Sequence, residues 1–135
     1  MTVTIPEDAL DLLERPLVVT LVTLMEDNQP QATPVWIDYD GTHLLVNSTY
    51  GRAKGRNMKA RPQVTILSID PENTFRYLEV RGRVTEITEV GALEQVHRLA
   101  KKYWNIDDYY ERWPQRRGKE TRVLYKITPL RVVYH

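Results

Sequence analysis

Phe75-Arg76-Tyr77-Leu78-Glu79-Val80-Arg81-Gly82-Arg83-Val84-Thr85-Glu86-Ile87 is the stretch that decides how this chain folds. Its even positions put Leu78, Val80 and Val84 on one face with Gly82 between them, and its odd positions put Tyr77, Glu79, Arg81 and Arg83 on the other. Alternation at a period of two predicts a long strand with one core face and one charged face. The parity fails between Val84 and Ile87, which predicts a bulge, and Gly82 predicts a bend or the close approach of another backbone. Long bent strands with bulges belong to small barrels, where the curvature of the sheet has to be built in.

Working upstream, Gln63 to Ile69 reads as the preceding strand, joined through the turn Asp70-Pro71-Glu72-Asn73. Leu17 to Leu24 is apolar on both alternating faces, as in a strand lying deep in a sheet. Pro30 to Tyr39 reads as one further strand, in which Pro34 cannot donate to a ladder and so marks an edge, a bulge or a break. Asp40-Gly41 is a hairpin signal that returns the chain through Leu44, Leu45 and Val46. Pro6 to Glu14 predicts a short docking helix closed off before Pro16. Downstream, Thr88 suits the N-cap of a helix running to about Trp104, with Leu93, Val96, His97, Ala100, Tyr103 and Trp104 on one packing stripe. Asn105 to Gly118 reads as a helical turn and a mobile loop, and Thr121 to Thr128 as a last strand broken by Pro129 and continued by Leu130 to Tyr134. Six or seven strands, tight connections, one helix after the third strand and one after the fifth predict a mainly β (α+β) antiparallel barrel with peripheral helices.

At 135 residues and 41% hydrophobic content, the chain fits one domain with a modest core over 1–135. A net charge of +1 implies no global basic field, so neither nucleic acid nor a membrane surface is expected as a partner. The absence of cysteine excludes disulfides, thiolate metal sites and thiol nucleophiles, and suits a reducing cytoplasm. No run approaches membrane-spanning length, and a soluble, cytoplasmic protein is the expectation.

Positive charge is local. Asn47-Ser48-Thr49-Tyr50-Gly51-Arg52-Ala53-Lys54-Gly55-Arg56-Asn57-Met58-Lys59-Ala60-Arg61-Pro62 runs from hydroxyl and amide side chains through a glycine into a helical segment with cations at 52, 54, 56, 59 and 61. A helix opening at about Gly51 leaves its first N–H groups unpaired, and Ser48, Thr49, Arg52 and Lys54 surround that end with donors. Arg presents a planar fork to phosphate oxygens and Lys a mobile point charge. The same cations also fit a solvated helix face. The glycine pattern matches neither a Walker loop nor a dinucleotide fingerprint.

Other candidates carry weaker chemistry. His43, His97 and His135 lack metal-ligand spacing, and no metal site is expected. Asp107, Asp108 and Glu111 read as solvated loop acids, while Tyr103, Trp104, Tyr109, Tyr110 and Trp113 either roof a planar substrate or pack in a core or dimer contact.

The chain resembles the pyridoxamine-phosphate-oxidase-like split β-barrel superfamily, and within it the deazaflavin (coenzyme F-420)-dependent oxidoreductases. The likeness runs from the Leu17–Leu24 strand through Pro34-Val35-Trp36, Gly51 to Met58, Val64 to Ile69 and Tyr77 to Val84 to Arg122-Val123; its most specific piece is Arg52-x-Lys54-x-x-Asn57. In the flavin-mononucleotide (FMN) oxidases of this group the Arg and Lys tend to be adjacent, and the spacing here is more like the deazaflavin group. The arginine and histidine pattern of true pyridoxine-phosphate oxidases is missing from Thr128 to His135.

The resemblance implies an FMN-binding type of split barrel, a homodimer with two cofactor sites at the subunit interface, and hydride transfer from reduced F-420 to an unsaturated or conjugated acceptor. Arg52 and Lys54 would pair the cofactor phosphate, with Asn47, Ser48, Thr49 and Ala53 around it and Asn57 bracing the loop. Arg56, Lys59 and Arg61 would meet the acidic tail, and Pro34, Val35 and Trp36 would line the ring. The cofactor supplies the chemistry, so no dedicated catalytic residue is required. An FMN-dependent oxidoreductase and a non-enzymatic flavin or haem carrier are the alternatives.

Overall fold

The computed structural model describes residues 3–135. Its strands are β1 (Val19–Leu24), β2 (Pro30–Val35), β3 (Asp38–Tyr39), β4 (Leu44–Thr49), β5 (Gln63–Ile69), β6 (Tyr77–Thr88) and β7 (Arg122–Tyr134), and its helices α1 (Asp11–Glu14), α2 (Ala53–Ala60) and α3 (Ala92–Trp104). All strands pair antiparallel in one sheet of order β2-β1-β5-β6-β7-β4-β3, curled into a mainly β split barrel. β1 is interior to that sheet, between β2 and β5.

β6 follows the parity of its sequence. Leu78, Val80, Gly82 and Val84 are buried, whereas Arg81 and Arg83 are exposed. Its pairing with β7 slips twice, between Arg81 and Gly82 and between Val84 and Glu86. At the first slip a Cβ on Gly82 would lie 2.7 Å from the Thr128 carbonyl oxygen and 2.7 Å from Ile127 Cγ2, so only glycine allows β7 to come this close.

Three expectations are corrected. Pro30 to Tyr39 forms two strands, because the chain leaves the β1 ladder after Val35 and rejoins the sheet beside β4; the two helices therefore follow β4 and β6. Pro34 sits in β2 opposite Thr20, and β2 is an edge strand, so the missing N–H faces no ladder. Pro129 does not break β7: β4 pairs only as far as Ile127, so on that side no strand waits for a donor at 129. Nor does Thr88 cap α3. It extends β6 opposite Leu124, and its hydroxyl accepts a hydrogen bond from Val90 N–H at 3.0 Å. The helix starts after Gly91, whose φ of 77° suits glycine.

Inside the curl, Leu21, Val46, Ile66, Leu78, Val80 and Ile127 form the core, closed by Leu12 and Leu13 of α1 and Met58 of α2. Burying each of these leucines contributes about 1.5–3 kcal/mol. α1 is also held by charge: Arg76 donates to Asp11 at 2.6 Å and to Asp70 at 3.0 Å, and Arg15 reaches Asp70 at 3.6 Å. The stripe on α3 builds a second cluster, in which Val96 and Ala100 pack with Tyr109, Tyr110, Trp36 and Trp104. No helix among the described residues is long and apolar enough to cross a membrane.

Candidate functional site

Between the barrel and the second cluster lies a cleft of about 290 Å³. One wall is Pro34, Val35 and Trp36, where the chain turns out of β2, with Val18 at the start of β1. Tyr103 on α3 fixes this corner: its hydroxyl accepts from Ile37 N–H at 3.0 Å and donates to the Leu17 carbonyl at 2.7 Å. Its ring stacks on Trp36 with centroids 4.7 Å apart and planes 9° from parallel. Burial pushes the Tyr103 hydroxyl up to about 12, so it stays a neutral donor.

The facing wall comes from α3 and from the segment after it: Val96, Leu99 and Trp104, then Tyr109 and Trp113. Asn105 to Gly118 forms the expected helical turn at Tyr109–Glu111 and, where a loop was expected, a second short 3-10 turn at Pro114–Arg116. His97 anchors the first by accepting the Tyr109 N–H at 3.1 Å, and Asp108 caps it by accepting from Tyr110 N–H. Trp104 and Tyr109 stack at 5.8 Å, with Trp36 edge-on to Trp104 at 4.5 Å.

The third side is polar: Asn47 of β4, Lys54 of α2 and Arg122 of β7. Arg122 is held on two edges, donating from Nε to Asn47 Oδ1 at 2.8 Å and from a terminal nitrogen to Glu120 at 3.0 Å, and it lies 5.0 Å over the Tyr109 ring. Asn47 in turn donates to the Ala92 carbonyl at 2.7 Å and to Gln95 Oε1 at 2.9 Å. Lys54 has no carboxylate partner among the described residues. It is half-buried, and burial, then the charges of Arg52 and Arg122, hold its ammonium below the usual lysine range. A half-buried ammonium without a carboxylate partner, under the charge of two guanidinium groups, has the chemistry to take up an anion.

The structure brings Pro34, Val35, Trp36, Asn47 and Lys54 together around this cleft. The other expected site residues lie elsewhere. Ser48 and Thr49 follow Asn47 in β4 without lining the cleft, and Ser48 continues the buried face of Leu44 and Val46. α2 opens at Ala53, with Arg52 in the extended N-cap position, so the N–H groups of Ala53, Lys54 and Gly55 start the helix. Asn57 is buried and braces α2 to the sheet, donating to Thr23 Oγ1 at 3.0 Å and Gln31 Oε1 at 3.1 Å. Arg61 is tied down to the Leu24 carbonyl at 2.8 Å. Arg52, Arg56 and Lys59 line a separate hollow.

Two functional positions escaped the residue-level reading. Arg122 is 75 residues from the asparagine that orients it, and Gln95, which holds that asparagine, is fully buried although it lies outside the packing stripe expected of α3. No local spacing signals either.

The sequence matches the pyridoxamine 5'-phosphate oxidase family over residues 5–135. No curated protein matches the chain. Among solved structures, an F-420 reductase is 34% identical, with 96% of this chain and 98% of that one covered and a TM-score of 0.81. A conserved hypothetical protein from Mycobacterium tuberculosis is 24% identical, with coverage of 98% and 85% and a TM-score of 0.73. The haem storage protein HutZ from Vibrio cholerae is 14% identical, with coverage of 94% and 92% and a TM-score of 0.67; like the preceding structure it shares the fold. With a family match across nearly its whole length, on a barrel of the same architecture, this chain belongs to the pyridoxamine 5'-phosphate oxidase family.

Proposed function

We propose that the protein is an oxidoreductase that transfers hydride from reduced deazaflavin coenzyme F-420 to an unsaturated or conjugated organic acceptor. The observation that carries this reading is Lys54, an ammonium left without a counter-ion at the polar end of a cleft whose other walls are aromatic. That combination fits a flat ring bearing an anionic tail. Similarity to a protein named as an F-420 reductase supports the cofactor class.

In this reading Lys54 binds the phosphate, helped by Arg122 and the first N–H groups of α2, while Arg52 adds its charge from the neighbouring hollow. Pro34, Val35 and Trp36 line the ring. Asn47 and Glu120 hold Arg122 in one orientation, so little is lost in ordering it when the anion arrives. Trp104, Tyr109 and Trp113 keep water from the reacting face. The bound coenzyme supplies the hydride; the chain supplies position and a dry, positively charged seat.

The proposal includes a cytoplasmic homodimer with the clefts at the interface. Val18, 62% exposed at the cleft rim, is an apolar residue that a partner would cover. Light scattering that gives a monomer mass with coenzyme bound would remove this part.

FMN is the second reading, because the same anion receptor fits its terminal phosphate. Haem has less support, since the described residues that line the cleft include no histidine and its tyrosine, Tyr109, is stacked on Trp104. A titration with F-420 and FMN decides between them: tighter binding of F-420, weakened by roughly 1.5–3 kcal/mol in Lys54→Ala, is the expected result. Unchanged affinity in Lys54→Ala refutes the assignment of the cleft.

A further inference from the structure

Gln95 Nε2 is the one buried side-chain polar atom among the described residues that has no hydrogen-bond partner. The residue has no exposed surface, and Ala92, Val96 and Leu99 of α3 are buried with it. A stranded donor in such a place costs stability. Methionine would fill a similar volume without a donor to strand, and glutamate would shed the donor only by burying a charge. What glutamine supplies at this position is therefore the other end of its amide.

That end, Oε1, accepts from Asn47 Nδ2 at 2.9 Å, alongside the Ala92 carbonyl at 2.7 Å. Two acceptors on one side settle the Asn47 amide: its nitrogen faces them, so its oxygen faces Arg122 Nε, 2.8 Å away. With the amide reversed, oxygen would meet oxygen and N–H would meet N–H. The opposite edge of the guanidinium is held by Glu120, which takes Arg122 Nη1 at 3.0 Å and the Tyr110 hydroxyl at 2.9 Å. Burial, and then Glu120, push that hydroxyl up to about 12, so it remains a donor. Both edges of Arg122 are thus committed, while Nη2 has no acceptor among the described residues.

We propose that Gln95 is a positioning residue for the polar end of the cleft: its oxygen fixes the Asn47 amide and, through it, the plane of the Arg122 guanidinium, leaving Nη2 for the ligand. Without that oxygen the amide is free to turn, and Arg122 loses one of its two held edges. The hold on Arg122 belongs to the chain alone; its use by a coenzyme rests on the function proposed above.

The test uses the full chain and follows three quantities: exchange of Arg122 Nε–H with water by NMR, the urea midpoint, and affinity for F-420 and FMN. The resonance is assigned by its disappearance in Arg122→Lys. In Gln95→Met the Nε–H should exchange roughly tenfold faster at an undiminished urea midpoint, since the lost acceptor is offset by removal of the stranded donor. Gln95→Glu keeps an oxygen for Asn47 but buries a charge, and should show the reverse: a lower midpoint with Nε–H still protected. Affinity for F-420, or for FMN if that is the ligand, should fall roughly tenfold in Gln95→Met, and no further where Gln95→Met is added to Arg122→Ala. Unchanged Nε–H exchange in Gln95→Met overturns the inference. So does a fall of protection and midpoint together in that variant, which marks a packing role, or an equal loss of affinity in the Arg122→Ala background. If exchange quickens while neither F-420 nor FMN binds, the positioning of Arg122 stands and the coenzyme reading falls.

Discussion

Replacing Gly82 by alanine tests the contact on which the curvature of the barrel depends. The added methyl would meet Ile127 Cγ2 and the Thr128 carbonyl oxygen, each at 2.7 Å. Carbon atoms rest at about 3.5–4.0 Å, so the shortfall against Ile127 is about 1 Å. Ile127 has no exposed surface, which leaves it nowhere to turn, and the Thr128 oxygen is main chain, so β7 itself must move. Overpacking of this kind costs about 1–3 kcal/mol, and the upper end applies where backbone is displaced. Alanine recovers about 0.5–1 kcal/mol by restricting the unfolded chain, leaving a net loss of about 2 kcal/mol. Urea unfolding should show it as a midpoint lower by about 1 M, for a slope of about 2 kcal/mol per M. A midpoint within about 0.2 M of the parent would refute the close approach of β6 and β7.

Other outcomes follow from the groups that hold the cleft and α1. Tyr103→Phe leaves the Ile37 N–H and the Leu17 carbonyl unpartnered at a half-buried site, and should destabilise the fold by about 1–3 kcal/mol and blunt the quenching of Trp36 fluorescence by ligand. Lys54 sits below the ordinary lysine pKa of 10.5, mainly through burial, so it loses its proton earlier on the way up in pH. Anion binding in the cleft should therefore weaken before pH 10.5 is reached, whereas Lys54→Arg should hold its affinity there; a flat profile to that pH in the parent would contradict the role of Lys54. Asp11 is held below the usual carboxylate range chiefly by Arg76, and Asp70 chiefly by the Glu72 N–H and then Arg76. Their folded values lie beneath 3.8, so their contribution is full above that pH and disappears as pH falls through the depressed values. Urea midpoints measured from pH 6 down to pH 2 should fall, and Arg76→Gln should flatten that fall.

The legible parts of this chain were those written in local period. The alternation from Leu78 to Val84 and its failure before Ile87 foretold both the face and a slip of β6, and Gln63–Ile69 was found to the residue. Errors arose where a neighbour decides. Thr88 has the chemistry of a cap, yet Leu124 across the ladder keeps it in the strand. Pro129 looks like an interruption until one sees that β4 has already ended beside it. The basic stretch read as one cradle is divided by helix geometry. Lys54 turns to the aromatic cleft, Arg56 and Lys59 turn to the separate hollow, and Asn57 goes inward to Thr23. Arg122 was noticed only as part of the family likeness and not as a site residue, because its orientation depends on Asn47 and Glu120 and only the folded sheet brings Asn47 beside it.

The place of β7 between β6 and β4 bears on how the polypeptide is made. It is the latest of the seven strands to be synthesised, and it alone joins the β3–β4 hairpin to the remainder of the sheet. During translation the earlier strands can associate as far as β6, while the hairpin waits with an open ladder edge. A chain cut short before Arg122 should thus be cleaved by proteases between β3 and α2, where a chain that keeps β7 resists.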